Sequence, residues 1–347
     1  MLFVMTHRLI LRFSLALCLI GPAAYGAGSP KSGEKPSPSV SPTSKREEAA
    51  RRAFRAKKFD KVANLLLSYS NDISKPARLM LAESLHNLKK YDDEIRVLEL
   101  NLKDDSDDYL TYARMAKAYI ELKKNDDAIN SFRQAIRKNR KYLPAYEDLL
   151  YLFETTNNYY EARLILKDMV KVFGARKEYL HKMCRIDSLD GYIDSAIKVC
   201  LEAIFTDTAY PDSYVYLANN YRDSGKQTKA QKAYSDAAKK FPDSEFVQSA
   251  AGRFFSEKEN HHAAFRYFRK ASKADPKSVR ALLGLAQSAL EIGEYKVSLD
   301  TFISACNLDK SIAPEFRQAA TQLRVKQIYK WSGDFEAKSN LCRLNNP

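Results

Sequence analysis

Between residues 216 and 242 the chain reads YLANNYRDSGKQTKAQKAYSDAAKKFP, with small and bulky apolar residues three and four places apart on both sides of Gly225. Residues at that spacing share one helix face. The stretch therefore predicts a helix, a turn at Gly225 and a second helix. The pattern recurs every 34 residues: stepping both ways from Ala230 meets Glu94, Ala128, Ala162, Ala196, Ala264 and Ser298. Four places on, the column is bulky or apolar: Leu98, Phe132, Leu166, Cys200, Tyr234, Phe268 and Phe302. Upstream runs a mostly small column of Ala82, Ala116, Leu150, Cys184, Ala218, Gly252, Ala286 and Ala320. Three residues after each member come Leu85, Tyr119, Phe153, Asp187, Tyr221, Phe255, Ala289 and Leu323. Leu150 and Asp187 are the breaks in these columns, and they make 143–210 the stretch least constrained by the pattern.

Small residues let two antiparallel helices approach, and the aromatics beside them fill the space between neighbouring hairpins. One such hairpin cannot bury its apolar faces alone, whereas a stack buries them continuously. The expected units are 43–74, 75–108, 109–142, 143–176, 177–210, 211–244, 245–278 and 279–312, with a capping unit at 313–347. In that cap, WSGDFEAKSNLCRL is expected to form another turn and helix, displaced from the register.

The columns resemble the tetratricopeptide repeat family. The unit carrying Tyr214, Leu217, Ala218, Tyr221, Ala230, Tyr234, Ala237 and Pro242 matches its pattern most fully. The resemblance implies an all-α fold: an α-solenoid of about eight stacked helix-turn-helix repeats, a right-handed superhelix closed by a C-terminal capping helix. It also implies that first helices line a concave groove, reached by the residues just after the small column. These are Glu83, Lys117, Tyr151, Arg185, Asn219, Arg253 and Gln287, with His181 and Arg222 one helical turn away on similar faces. Lys117, Arg185, Asn219, Arg222 and Arg253 would suit carboxylates or the backbone of an extended peptide, and Tyr151 would add packing area. The alternative is an ordinary solvated polar row. The clamp that chaperone-binding members use on acidic C-termini is not reproduced, since Tyr216, Phe246 and Ala250 stand where it wants Asn, Lys and Arg.

Composition fits this picture. Of 347 residues 45% are hydrophobic and 29% charged, with 21 Tyr and 17 Phe but only 11 Gly and 12 Pro, so helices are favoured over many short strands. The first 26 residues are laid out as a secretion signal. Arg8 and Arg12 precede the apolar FSLALCLI, and small residues then allow cleavage after Gly26, leaving Ala27 first. An uncleaved anchor is the competing reading, and the apolar run is short for a span of about 30 Å. Residues 27–44, rich in Pro and Ser, read as a disordered linker. Export would place the mature chain in a bacterial periplasm or envelope.

The formal charge of +14 is uneven. It concentrates in RQAIRKNRKY, where Arg133, Arg137, Lys138, Arg140 and Lys141 would suit an anionic polymer or membrane surface. A solvated outer helix face is the bland alternative. Nucleic acid is set aside because an exported protein seldom meets it. No catalytic residue is proposed: HExxH, a Gly-rich phosphate loop, GxSxG and an EF-hand loop do not occur in the sequence. The adjacent His261 and His262 read as solvated turn residues, so no metal and no cofactor is expected. Asp104, Asp105, Asp107 and Asp108 read as a solvated acidic connector. Cys184 and Cys200 fall opposite each other in a hairpin turning near Gly191; in an oxidising compartment they would form a disulfide, and otherwise two buried thiols. Cys306 with Cys342 is a weaker pairing. The expected function is an exported scaffold for protein partners (an extended peptide, a helix or a domain), with anionic-surface binding as the alternative.

Overall fold

The computed structural model describes residues 42–343, which form eighteen α-helices and two short 3₁₀ turns. The helices pair in chain order: α1 (Pro42–Arg55) with α2 (Phe59–Leu66), α3 (Lys75–Asn87) with α4 (Tyr91–Asp104), and α5 (Tyr109–Glu121) with α6 (Asn125–Lys138). The central pairs are α7 (Leu143–Thr155) with α8 (Tyr159–Phe173), α9 (Lys177–Leu189) with α10 (Ile193–Thr206), and α11 (Pro211–Asp223) with α12 (Gln227–Lys240). The last three are α13 (Glu245–Glu257) with α14 (His261–Ala274), α15 (Val279–Glu291) with α16 (Tyr295–Leu308), and α17 (Ala313–Val325) with α18 (Tyr329–Arg343).

Two details differ from the sequence expectation. Helix α1 starts at Pro42, so residues 42–44 belong to the array rather than to the linker; the rest of that linker and the secretion signal lie outside the described residues. The C-terminal capping unit is a complete ninth hairpin, and its turn and second helix, expected to be displaced by several residues, are in register. Its turn lies at Gln327, in register, and Trp331–Leu341 lies inside α18.

Register is visible in the backbone. Lys89, Lys123, Asn157, Gly191, Gly225, Glu259, Gly293 and Gln327 all adopt positive φ, at an unbroken 34-residue step, and each reverses the chain within a hairpin. The left-handed residue lets the next amides return to the helix end: Lys90 N donates to Leu85 O and Lys226 N to Tyr221 O, both at 2.9 Å. At five of the junctions between hairpins the reversal is an Asx turn. Asp105, Asn139, Asp207, Asp275 and Asp309 each accept from the amide two residues on. The hairpin α7–α8 departs from this: α8 runs to Phe173 and ends on Gly174 at φ 85°.

The columns perform as packing requires. Phe268 lies between Gly252 and Gly284, and a Cβ at Gly284 would sit 2.3 Å from its ring. Tyr234 stacks on Phe254 at 4.7 Å and Phe255 on Tyr267 at 5.3 Å. Burial pushes the Tyr234 hydroxyl up to about 12, and it donates to Asn219 Oδ1. Odd-numbered helices of neighbouring hairpins come close at α1–α3 and from α9 through α15, whereas at the last junction α16 and α18 do so. Over α1–α3 and α9–α15 the stack therefore curves with the odd helices on its inner side. No helix among the described residues is long and apolar enough to cross a membrane.

Candidate functional site

The inner face is a row of ion pairs between successive odd helices. Glu83 faces Arg114 at 3.7 Å, Lys117 faces Asp148 at 3.0 Å, and Glu154 faces Arg185 at 2.8 Å and Lys182 at 3.6 Å. Further along, Arg222 lies 3.7 Å from Glu257 and 2.9 Å from Asp223, and Glu291 lies 3.0 Å from Lys326. Such exposed pairs contribute little stability, but they neutralise Lys117, Arg185 and Arg222. A carboxylate ligand would have to displace a resident one.

The other groove residues are placed unequally. Arg253 is exposed and makes no ion pair among the described residues. Gln287 is exposed and lines a polar cavity of about 220 Å³ with Glu291, Glu315 and Gln318. Tyr151 keeps 67% of its surface exposed. Asn219 is half-buried and occupied by Tyr234. His181 is not on the groove surface: it is buried between α9 and α11, with Nδ1 2.6 Å from Ser213 Oγ and its ring stacked 3.8 Å from Tyr210. Burial lowers its pKa. His261 and His262 open α14 rather than occupying a turn, and His261 Nδ1 is buried without a hydrogen-bond partner.

The outer basic run is stitched to its neighbours. Arg133 pairs with Glu161 at 2.8 Å, Lys138 with Asp107 at 2.6 Å and Arg140 with Asp168 at 3.2 Å. Arg137 reaches Gln134 at 3.5 Å, leaving Lys141 as the member with neither an ion pair nor a side-chain hydrogen bond among the described residues. The acidic connector is likewise engaged, Lys75 lying 3.0 Å from both Asp105 and Asp108, and Asp104 pairing with Arg78.

The two column breaks prove to be the structurally distinctive positions. Asp187, the misfit in an aromatic column, is fully buried; it lies 2.8 Å from Arg163 Nε and accepts from Ser195 Oγ at 2.5 Å. A polar triad thus joins α8, α9 and α10 where other units use an apolar side chain. Asn220 adds a bond across to α9, donating to Ser188 Oγ at 2.6 Å. Cys184 and Cys200 are disulfide-bonded within this hairpin, and Cys306 with Cys342 joins α16 to α18.

Leu150 occupies a small slot, and α7–α8 is the most loosely packed hairpin. Beside it opens a cavity of about 390 Å³ lined by residues of α7, α8 and α9, including Leu150, Tyr151, Met169 and Tyr179. The periodicity marked Leu150 as irregular and the family pattern marked Tyr151 as a groove residue, but a cavity needs three helices, and neither signal disclosed that Met169 and Tyr179 complete it. Among the described residues, no group of three or more His, Cys, Asp or Glu is placed to hold a metal ion.

No curated protein matches the chain in sequence. Among solved structures, the C-terminal part of a TPR repeat-containing protein from Cytophaga hutchinsonii superposes with a TM-score of 0.52 at 13% identity, covering 69% of this chain and 99% of that one. PilF from Pseudomonas aeruginosa gives 0.43 at 15% identity over 66% and 95% of the two chains. YrrB, described as a TPR protein with an unusual peptide-binding site, gives 0.41 at 14% over 53% and 95%. Family models described as tetratricopeptide repeat match residues 109–142, 212–244 and 249–306. These three stretches therefore match tetratricopeptide repeats, and the described residues stack as an all-helical solenoid.

Proposed function

We propose that this chain is an exported, non-enzymatic scaffold that holds protein partners on the inner face of its solenoid. The observation carrying the reading is that the inner helices, once their ion pairs are formed, still present Tyr151, Arg253 and Gln287 to solvent on one curved surface. A preformed curve of this kind gathers affinity from many small contacts without first having to be ordered. Export is supported by the layout of residues 1–26 and by two disulfides, which persist in oxidising compartments. The outer run from Arg133 to Lys141, with three of its five charges already ion-paired, gives no comparable support to anionic-surface binding.

Photo-crosslinking in intact cells tests this. A crosslinker at Arg253 or Gln287 should capture a defined protein that one at Lys239, on outer helix α12, does not, and Arg253→Glu should weaken its recovery. Equal capture from both faces, or none from the inner one, would overturn the scaffold reading. Mass spectrometry of the exported chain should find Ala27 first and no free thiols. Four free thiols after Ala27 would remove the oxidising compartment.

A further inference from the structure

We infer that the α7–α9 cavity is an anchor pocket for a Trp or Tyr side chain that a partner presents next to a basic residue. The inference rests on the inner-face scaffold reading and names the chemistry of one partner contact. Its floor is apolar: Leu150 and Met169 are nearly fully buried, yet both line a cavity of about 390 Å³. The exposed ring of Tyr151 forms a wall on the groove side.

The unusual group is Tyr179. Its side chain is 6% exposed, it lines the cavity, and its hydroxyl is buried with no hydrogen-bond partner. A buried hydroxyl without a partner is costly, and native structures seldom leave one. A guest that is apolar in body and polar at its tip fills the floor and, once a turn of the Tyr179 ring brings its hydroxyl to the cavity, removes that cost. Tyr and Trp are the side chains with that construction.

The mouth adds a charge preference. Glu154 is already neutralised by Arg185 and Lys182, and the Arg176 guanidinium lies over the Tyr179 ring at 5.6 Å. Glu147 and Glu178, also at the mouth, are exposed and make no ion pair among the described residues. A cation beside the aromatic guest would meet these two carboxylates.

The probes are Ac-Trp-Arg-NH2 and Ac-Arg-Trp-NH2, titrated into the mature chain with ¹³C-methyl methionine labelling. The Met169 methyl signal is assigned with Met169→Leu. At least one probe should shift that signal with a Kd on the order of 1 mM, a reasonable affinity for a fragment of this size. Ac-Trp-Glu-NH2 should bind several-fold more weakly, and Ac-Ala-Arg-NH2 should leave the signal unmoved. Tyr179→Phe should weaken the Trp probes about five-fold, in line with the loss of one hydrogen bond, while leaving Ac-Phe-Arg-NH2 unchanged. No Met169 shift with either Trp probe, or equal shifts with the alanine control, would overturn the pocket.

A second copy is the competing occupant, because the chain exposes Tyr329 beside Lys330. Concentration-dependent association abolished equally by Tyr329→Ala and Tyr151→Ala would assign the pocket to that copy and overturn a foreign partner. Probe binding is measured on purified protein and partner capture at Arg253 in cells. Loss of the first alone rejects the pocket, and loss of the second alone rejects the scaffold.

Discussion

Hairpins α11–α14 and α7–α10 have the same backbone plan and are held together by different physics. In α11–α14 the columns are intact, and the packing is aromatic rings against small residues: Phe268 between two glycines, Tyr234 on Phe254. In α7–α10 the columns break, and polar bonds and a cross-link take over: Asp187 with Arg163 and Ser195, His181 with Ser213, Cys184 with Cys200. The repeat tolerates either solution because register is kept by the turns, whose left-handed residues run on at the same step through both regions. The irregular region holds a larger cavity than the one beside Gln287, with Leu150 and Met169 in its lining.

The comparison can be broken from either side. The largest effect is expected in the regular region, where Phe268→Ala should cost about 4 kcal/mol by urea unfolding, since two flanking glycines cannot fill the space. A cost below about 1 kcal/mol would mean that the aromatic column does not hold the stack there. In the irregular region Asp187→Ala should cost about 3 kcal/mol by leaving Arg163 unpaired. The double change Arg163→Leu with Asp187→Phe should return most of that loss, because an apolar pair can replace a buried ion pair. If the double variant is as unstable as the single, the triad does more than occupy an apolar slot. Replacing Cys184 and Cys200 with Ala should cost about 2 kcal/mol, the low end for so short a loop, with hydrogen exchange rising in α9 and α10 first.

The smallest effects are in pH dependence, with opposite signs in two hairpins. His86 has its pKa raised by its hydrogen bond to Glu94, so its contribution is full below about 6.5 and is lost as pH rises through the folded value. His181 has its pKa lowered by burial. The unfolded chain then takes up a proton that the fold refuses, and stability falls as pH drops from about 6.5 toward the folded value. Thermal melts between about pH 5 and pH 8 should therefore separate two variants. His181→Asn should flatten the acid side and His86→Gln the neutral side; the reverse pattern would contradict these environments.

The hairpins, their period and most buried positions were legible in the sequence, because small and bulky residues at helical spacing have only one way to be buried together. The exposure of Tyr151, Arg253 and Gln287 was legible for the same reason, as positions that the packing columns leave over. His181 was not: it stands one turn before Arg185, and spacing along one helix does not reveal that Ser213 and Tyr210 of the next hairpin cover it. Nor did the charge run from Arg133 to Lys141 disclose its acidic partners, which lie about one unit away along the chain.

The sequence by itself determined the architecture, since periodic burial is a local code repeated until it is unambiguous. Only the tertiary structure decided which charges stay free, that the expected cysteine pairs are bridged, and where a cavity opens. Those outcomes depend on side chains from several helices meeting in space, and no single stretch of the chain contains them.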